Sequence, residues 1–221
     1  MPVVHLAAGP RSVLLYQQAY NEELQVCPDV DERLEPVRLL YPRSWVEAVD
    51  AMSMERDIDY SFMGSLYRPD VYANRAWVLD FARERFTDRS YLHLSEAPEG
   101  HRRLGPYDHT GSAEGVWIPK DVAWSDRAFF NRHFFEVLRR SRFALCPAGD
   151  APWSNRFFEA VMCGAIPIVE DPVHSGRHDH ERAIGYRMYL KDEEHHYDPE
   201  VVMHNRRLFL EHQTLIGRFR A

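Results

Sequence analysis

Residues 142–171 read RFALCPAGDAPWSNRFFEAVMCGAIPIVED. A short apolar run, RFALCP, breaks at a turn containing Pro147 and Gly149. A helical segment follows from about residue 155, and a second apolar run, AIPIVE, resumes at once. Strand, helix and strand at this spacing form a unit that lays two parallel strands in one sheet with a helix across it. Ser154 is the natural cap, because its hydroxyl can accept from an amide of the first helical turn. Asn155 and Arg156 then occupy that turn, and Gly164 ends the helix in the left-handed conformation.

The same alternation continues on both sides. PVVHLAA (2–8) reads as a strand, RSVLLYQQAYNEEL (11–24) has helical spacing, VRLLY (37–41) reads as a strand and SWVEAVDAM (44–52) as a helix. YSFMGS (60–65) is a strand ending in Gly64 and Ser65. A helix over 70–86 turns Val71, Trp77, Val78, Phe81 and Phe86 to a core, and SYLHLSE (90–96) alternates as a strand. Residues 97–120 read as a long loop, with room for a turn of structure. SDRAFFNRHFFEVLRRS (125–141) is a helix capped by Ser125 or Asp126. MYL (188–190) is a short strand, and Asp198 with Pro199 opens a last helix. Near-continuous apolar strands alternating with helices specify an α/β fold, a doubly wound, Rossmann-like parallel sheet covered on both faces. The boundary falls at the acidic stretch ERDID. Residues 1–56 form a short, incomplete N-terminal α/β segment, with eleven acidic residues against five arginines up to residue 60, and residues 57–221 form the main domain.

Bulk properties narrow the function. A chain of 221 residues can bury a real core, and its net charge of −7 argues against a non-specific grip on nucleic acid or anionic membrane. Cys27, Cys146 and Cys163 form no paired framework, which points to a reducing, cytoplasmic setting. No apolar run reaches membrane-span length, and the N-terminus lacks a signal-peptide layout.

In doubly wound sheets ligands bind at the carboxyl ends of the strands, beside helix N-termini. The helix that opens near Ser154 offers free amides and a positive dipole, suited to a phosphate. A cationic Arg156 opposes that dipole unless an anion sits between them. A helical wheel puts Phe157, Phe158, Val161 and Met162 on a core side. Arg156, Glu159, Ala160 and Cys163 fall on a second side with room for a ligand. Glu159 can accept two ribose hydroxyls while Arg156 reaches the phosphates. The plainer reading is an ordinary i,i+3 ion pair on a solvated helix face.

The stretch resembles the signature of the exostosin-like glycosyltransferases, carried here by Cys146, Pro147, Ser154, Arg156, Glu159, Ala160, Gly164, Ile166, Pro167 and Ile168. YSFMGSLYRPDVYANRAWVLDFA (60–82) is similar to the start of that family's donor half, with Arg68 and Arg75 as matching basic residues. The Trp-Ser-x-Arg core is also similar to the capsule-associated xylosyltransferase and protein O-glucosyltransferase group. The resemblance implies a GT-B fold whose C-terminal half binds a nucleotide sugar, UDP-linked, as co-substrate. It implies inverting transfer to a glycan or other hydroxyl acceptor, with no essential metal. It implies donor contacts from Arg156 and Glu159, with Arg68 and Arg75 as the matching basic candidates; Ser154, Asn155, Gly149, Gly64 and Ser65, at the helix mouth and strand end, complete the donor-binding candidates. About sixty residues before residue 60 are few for a complete acceptor half. The alternative is therefore a nucleotide-sugar-binding module completed by a partner domain or a second copy.

Inverting transfer needs a base for the acceptor proton. Asp150 and Glu96 are the candidates, with a turn residue and a solvated carboxylate as their plainer readings; His5 is a weaker one. Lys120 is placed to meet phosphate or to sit in solvent, and Trp153 or Tyr107 to stack on a base or sugar. His174, His178, His180 and Glu181 have spacing compatible with zinc but no second ligand cluster. His195 and His196 read as a solvated loop, and Cys146 as a small buried hydrophobe.

Overall fold

A strand that is apolar on both faces has to be covered twice, and the central sheet meets that demand. The computed structural model describes residues 3–4, 13–15, 25–26, 38–41, 43–53, 55–64, 66, 75–94, 101–103, 117–119, 130–148, 155–170 and 179–214. Within them, β5 (Ile58–Gly64), β6 (Tyr91–Leu94), β9 (Ser141–Leu145), β10 (Ile166–Val169) and β11 (Tyr189–Leu190) form one five-stranded sheet. Its order is β11-β10-β9-β5-β6, with every pair parallel. Helices α1 (Arg43–Asp50), α3 (Arg132–Arg140) and α4 (Asn155–Cys163) cover one face through Trp45, Val49, Phe134, Phe135, Phe157 and Phe158. Helix α2 (Trp77–Arg85) covers the other through Val78 and Phe81, against Phe62, Phe143, Leu145, Ile166 and Ile168. Helix α6 (Pro199–His212) serves both faces. Its Val201 and Val202 pack on the α2 side, and its Leu208 and Phe209 on the α4 side.

Local chemistry explains several boundaries. Asp198 caps α6 by accepting from the Glu200 amide at 2.8 Å, ahead of Pro199 in the first turn, as the sequence indicates. Gly164 has φ +76°, and the Ala165 amide reaches back to the Ala160 carbonyl at 2.8 Å, closing α4 with a left-handed turn. Pro167 sits inside β10 without costing a ladder bond. Its nitrogen faces the β11 side, where β11 pairs only with Ile168 and Val169.

Several expectations change. Val13–Leu15 is a strand, β2, paired in parallel with β4 (Arg38–Leu40), where helical spacing had pointed to a helix over 11–24. A three-residue apolar run carries too little periodicity to separate the two, and pairing with β4 decides. A second parallel pair joins β1 (Val3–Val4) to β3 (Gln25–Val26). Inside the expected 97–120 loop, β7 (His101–Arg103) and β8 (Trp117–Pro119) pair antiparallel. The cap of α3 is Asn131, accepting from Phe134 at 3.1 Å; residues 121–129, with Ser125 and Asp126, lie outside the described residues. Part of the HSGRHDHE run forms a helix, α5 (Asp179–Ile184). No helix among the described residues is long and apolar enough to cross a membrane.

His195 is not the solvated residue that its acidic neighbours indicate. Its ring stacks on Phe81 with centroids 5.7 Å apart and meets Tyr60, Phe143 and Tyr189. Nε2 lies 2.9 Å from the Leu190 carbonyl, which only accepts, so Nε2 carries the proton and Nδ1 faces the Tyr60 hydroxyl at 3.4 Å. Burial, reinforced by Arg85, holds its pKa below the ordinary imidazole value of 6.5. On acidification the unfolded chain takes up this proton first, so stability falls as pH drops through that value. A urea-unfolding series from about pH 7.5 to 5.5 will show a loss of stability that is smaller in His195→Gln. Equal pH dependence in both proteins rules out His195 as its source.

Candidate active site

The strand order sets the site. From β5 the chain passes to β6 on one side and then to β9 on the other, so the connections diverge above the carboxyl ends of β5 and β9. Such a switch point is where open α/β sheets form a ligand crevice. Three parts of the chain meet there: Gly64 at the end of β5, Cys146–Ala148 leaving β9, and Asn155 with Arg156 at the start of α4.

Arg156 is only 7 % exposed. Its guanidinium lies over the Phe62 ring, 4.7 Å from the centroid, and Nη2 donates to the Met63 carbonyl of β5. Nε is buried with no hydrogen-bond partner among the described residues. Burial lowers the pKa of this guanidinium, while Cys146 and Glu159 act to raise it. A cation thus sits at the positive end of a helix dipole, enclosed and only partly satisfied. An unpaired buried donor costs about 1–3 kcal/mol, and an anion in the crevice removes that cost.

Gly64 makes the approach possible. A Cβ built there would lie 2.5 Å from Arg156 Nη2 and 3.3 Å from the Phe62 ring. The opposite end of α4 has the reverse electrostatics. Arg56 and Arg139 donate to the Cys163 carbonyl at 2.9 and 3.2 Å, and Arg206 donates to the Met162 carbonyl at 2.5 Å. Three arginines meet the negative end of the helix, where cations belong.

The second side of α4 is not the open one that the helical wheel indicates. Every residue from Arg156 to Cys163 is buried, and Glu159 is wholly enclosed. Helices α1, α3 and α6 pack around α4, so its small residues Ala160 and Cys163 admit neighbouring helices. Glu159 acts from inside the protein as a counter-charge to Arg156. Burial pushes the thiols of Cys146 and Cys163 far up, which keeps both protonated and unreactive.

Of the residues expected in the site, Arg156, Asn155 and Gly64 meet at the crevice, Glu159 lies enclosed behind it, and Arg75 reaches it with Nε 3.4 Å from the Ala148 carbonyl. Ser154, Gly149, Asp150, Ser65, Arg68 and Glu96 lie outside the described residues, as do His5, Tyr107, Lys120, Trp153, His174 and His178. Among the described residues no group of three or more His, Cys, Asp or Glu is placed to hold a metal, and Glu181 is buried. Two contacts at the crevice escape sequence reasoning. Glu170 accepts from the Ala148 amide at 2.9 Å, and the Tyr41 hydroxyl donates to the Asn155 carbonyl at 3.1 Å. Glu170 had a signal, an acidic residue directly after an apolar strand. Tyr41 had none, since 114 positions separate it from its partner.

A cavity of about 310 Å³ between Asp59, Tyr60, Arg142, His195 and Tyr197 opens at the opposite, amino edge of the sheet. Its charges are engaged with one another, Asp59 with Arg142 at 2.7 Å and with Arg89 at 3.3 Å, so the carboxyl edge is the better candidate.

Gly64→Ala forces the buried guanidinium off the Met63 carbonyl. It is expected to cost about 1–3 kcal/mol, the usual penalty of overpacking, read as a lower urea midpoint; an unchanged midpoint shows that Arg156 is not confined there.

The family model "Exostosin GT47 domain" matches residues 11–198. "Probable beta-1,4-xylosyltransferase IRX10L" of Arabidopsis thaliana is 50% identical over 76 residues, 32% of this chain and 17% of that protein. "Probable glucuronosyltransferase GUT1" of Oryza sativa subsp. japonica is 50% identical over 67 residues, 29% of this chain and 16% of that protein. Another rice protein named a probable glucuronosyltransferase is 53% identical over 36 residues, 16% of this chain and 9% of that protein. The chain thus spans between 9% and 17% of the length of these relatives. No solved structure matches.

Proposed function

Because the chain belongs to the exostosin GT47 family, we propose that it transfers a sugar from a nucleoside-diphosphate donor to a hydroxyl of a glycan acceptor. The observation that carries this reading is Arg156, a nine-tenths buried arginine with an unpartnered Nε at the amino end of α4, in the switch-point crevice. A departing nucleoside diphosphate develops negative charge as its bond to the sugar breaks. A fixed guanidinium and the positive end of a helix dipole favour that charge without having to reorganise. The names of the plant relatives, a xylosyltransferase and glucuronosyltransferases, favour a xylosyl or glucuronosyl donor, and we take its carrier to be UDP. We take the transfer to be inverting, with Asp150 and Glu96 kept as candidates for the base.

In this reading Arg156 meets the diphosphate. Glu159 keeps the guanidinium charged in its low-dielectric surroundings from inside the protein. Arg75 is a second cation at the same edge, and Gly64 leaves the space that the guanidinium occupies.

A thermal-shift panel of UDP, GDP, CMP and dTDP with wild type and Arg156→Ala tests the seat. One nucleotide is expected to stabilise the wild type, and the variant is expected to lose about 1.5–3 kcal/mol of binding, the worth of a charge-assisted hydrogen bond. Equal affinity in the two proteins removes Arg156 from the site. No stabilisation by any nucleotide removes the donor reading itself.

A further inference from the structure

We propose that Glu170 is a positioning residue for the donor seat, holding the chain where it leaves β9 so that the crevice wall beside Arg156 keeps its place. The inference rests on the donor reading above. It starts from the β9–β10 ladder. Ile166, Pro167 and Ile168 stand opposite Phe143, Ala144 and Leu145, and the Cys146 amide continues the ladder to the Ile168 carbonyl at 2.7 Å. Two residues on, a regular parallel ladder would bond the Ala148 amide to the backbone carbonyl of residue 170. The side chain of Glu170 takes that amide instead, with its two carboxylate oxygens at 2.9 and 3.3 Å. The chain can therefore leave the sheet and still be pinned to the end of β10.

The same residue is held from its other side. Arg75, which precedes α2, directs Nε to the Ala148 carbonyl at 3.4 Å. Both backbone groups of Ala148 are thus engaged by side chains from separate elements, and Ala148 itself is fully buried. The wall held in this way is the one that faces the seat. Arg156, Glu159 and Glu170 all act electrostatically on the Cys146 thiol, two residues before Ala148.

The sign of the effect separates positioning from charge. Deleting a carboxylate beside an anion seat should, by Coulomb's law alone, tighten a diphosphate. Losing a positioning bond should weaken it. Glu170→Ala removes both the charge and the acceptor, whereas Glu170→Gln removes the charge and keeps an oxygen for the Ala148 amide.

The test measures UDP affinity by calorimetry and hydrogen exchange at the Ala148 amide in wild type, Glu170→Ala and Glu170→Gln, at temperatures where all three are folded. Glu170→Ala is expected to bind UDP about ten-fold more weakly, as loss of a hydrogen bond to a charged group predicts, with Glu170→Gln equal to or tighter than wild type. Exchange at Ala148 should accelerate in the alanine variant and stay slow in the glutamine variant. Unchanged or tighter UDP binding in Glu170→Ala overturns the proposal, as does a glutamine variant as weak as the alanine one. A wild type that binds no UDP while Ala148 exchange still follows this pattern sinks the donor reading and leaves the clamp standing. Equal exchange at Ala148 in all three proteins sinks the clamp.

Discussion

A helix buried from its second residue to its last must have both ends satisfied, and most of this structure is arranged around how α4 meets that demand. Its carboxyl end is answered in full. Gly164 turns the chain, and Arg56, Arg139 and Arg206 donate to the last carbonyls, placing positive charge where the dipole is negative. Its amino end is answered only in part among the described residues. There the protein adds a cation, Arg156, to an end that is already positive. It offers in return one strand carbonyl, the face of Phe62 and the enclosed charge of Glu159. Among the described residues three arginines neutralise one end of α4 and a guanidinium nitrogen is left unpartnered at the other, which is the end proposed as the anion seat.

The rest of the crevice follows from that asymmetry. Arg156 can lie against the end of β5 only because residue 64 has no side chain to fill the space. The dipole of α4 points into the crevice because β9 precedes the helix and β5 lies beside β9, the neighbour at which the strand order reverses. Segments distant in the sequence keep the helix in place. Tyr41 bonds to the first residue of α4 and pairs through its backbone amide with Gln213, which joins the start of α1 to the end of α6. Trp45 and Val49 then bring α1 into the same core as Phe135 and Phe209, so part of the acidic N-terminal segment packs with the sheet.

Long or strongly patterned segments were legible in the amino acids. The parallel α/β class, β5, β6, β9 and β10, the Asp198 cap and the Gly164 stop all follow from local rules, because each is decided by residues within a few positions of one another. Val13–Leu15 was not legible. Three apolar residues suit a helix as well as a strand, and the deciding partner, Arg38–Leu40, lies more than twenty positions away. His195 was misread for a similar reason. Its acidic sequence neighbours imply solvent, but its spatial neighbours are rings from β5, α2, β9 and β11.

By itself the sequence singled out the residues proposed to carry the chemistry. Arg156 at a helix start, Gly64 at a strand end and the family signature around them follow from residue identity and spacing, and these are local facts. Only the tertiary structure decided what those residues touch. Burial of α4 on every side made Glu159 an internal counter-charge, and the order β9-β5 aimed Arg156 at the Met63 carbonyl. The register of β9 on β10 placed Glu170 under Ala148. Each of those outcomes depends on which elements pack against which. Pairing between strands and helices far apart in the chain sets that, and no local propensity encodes it.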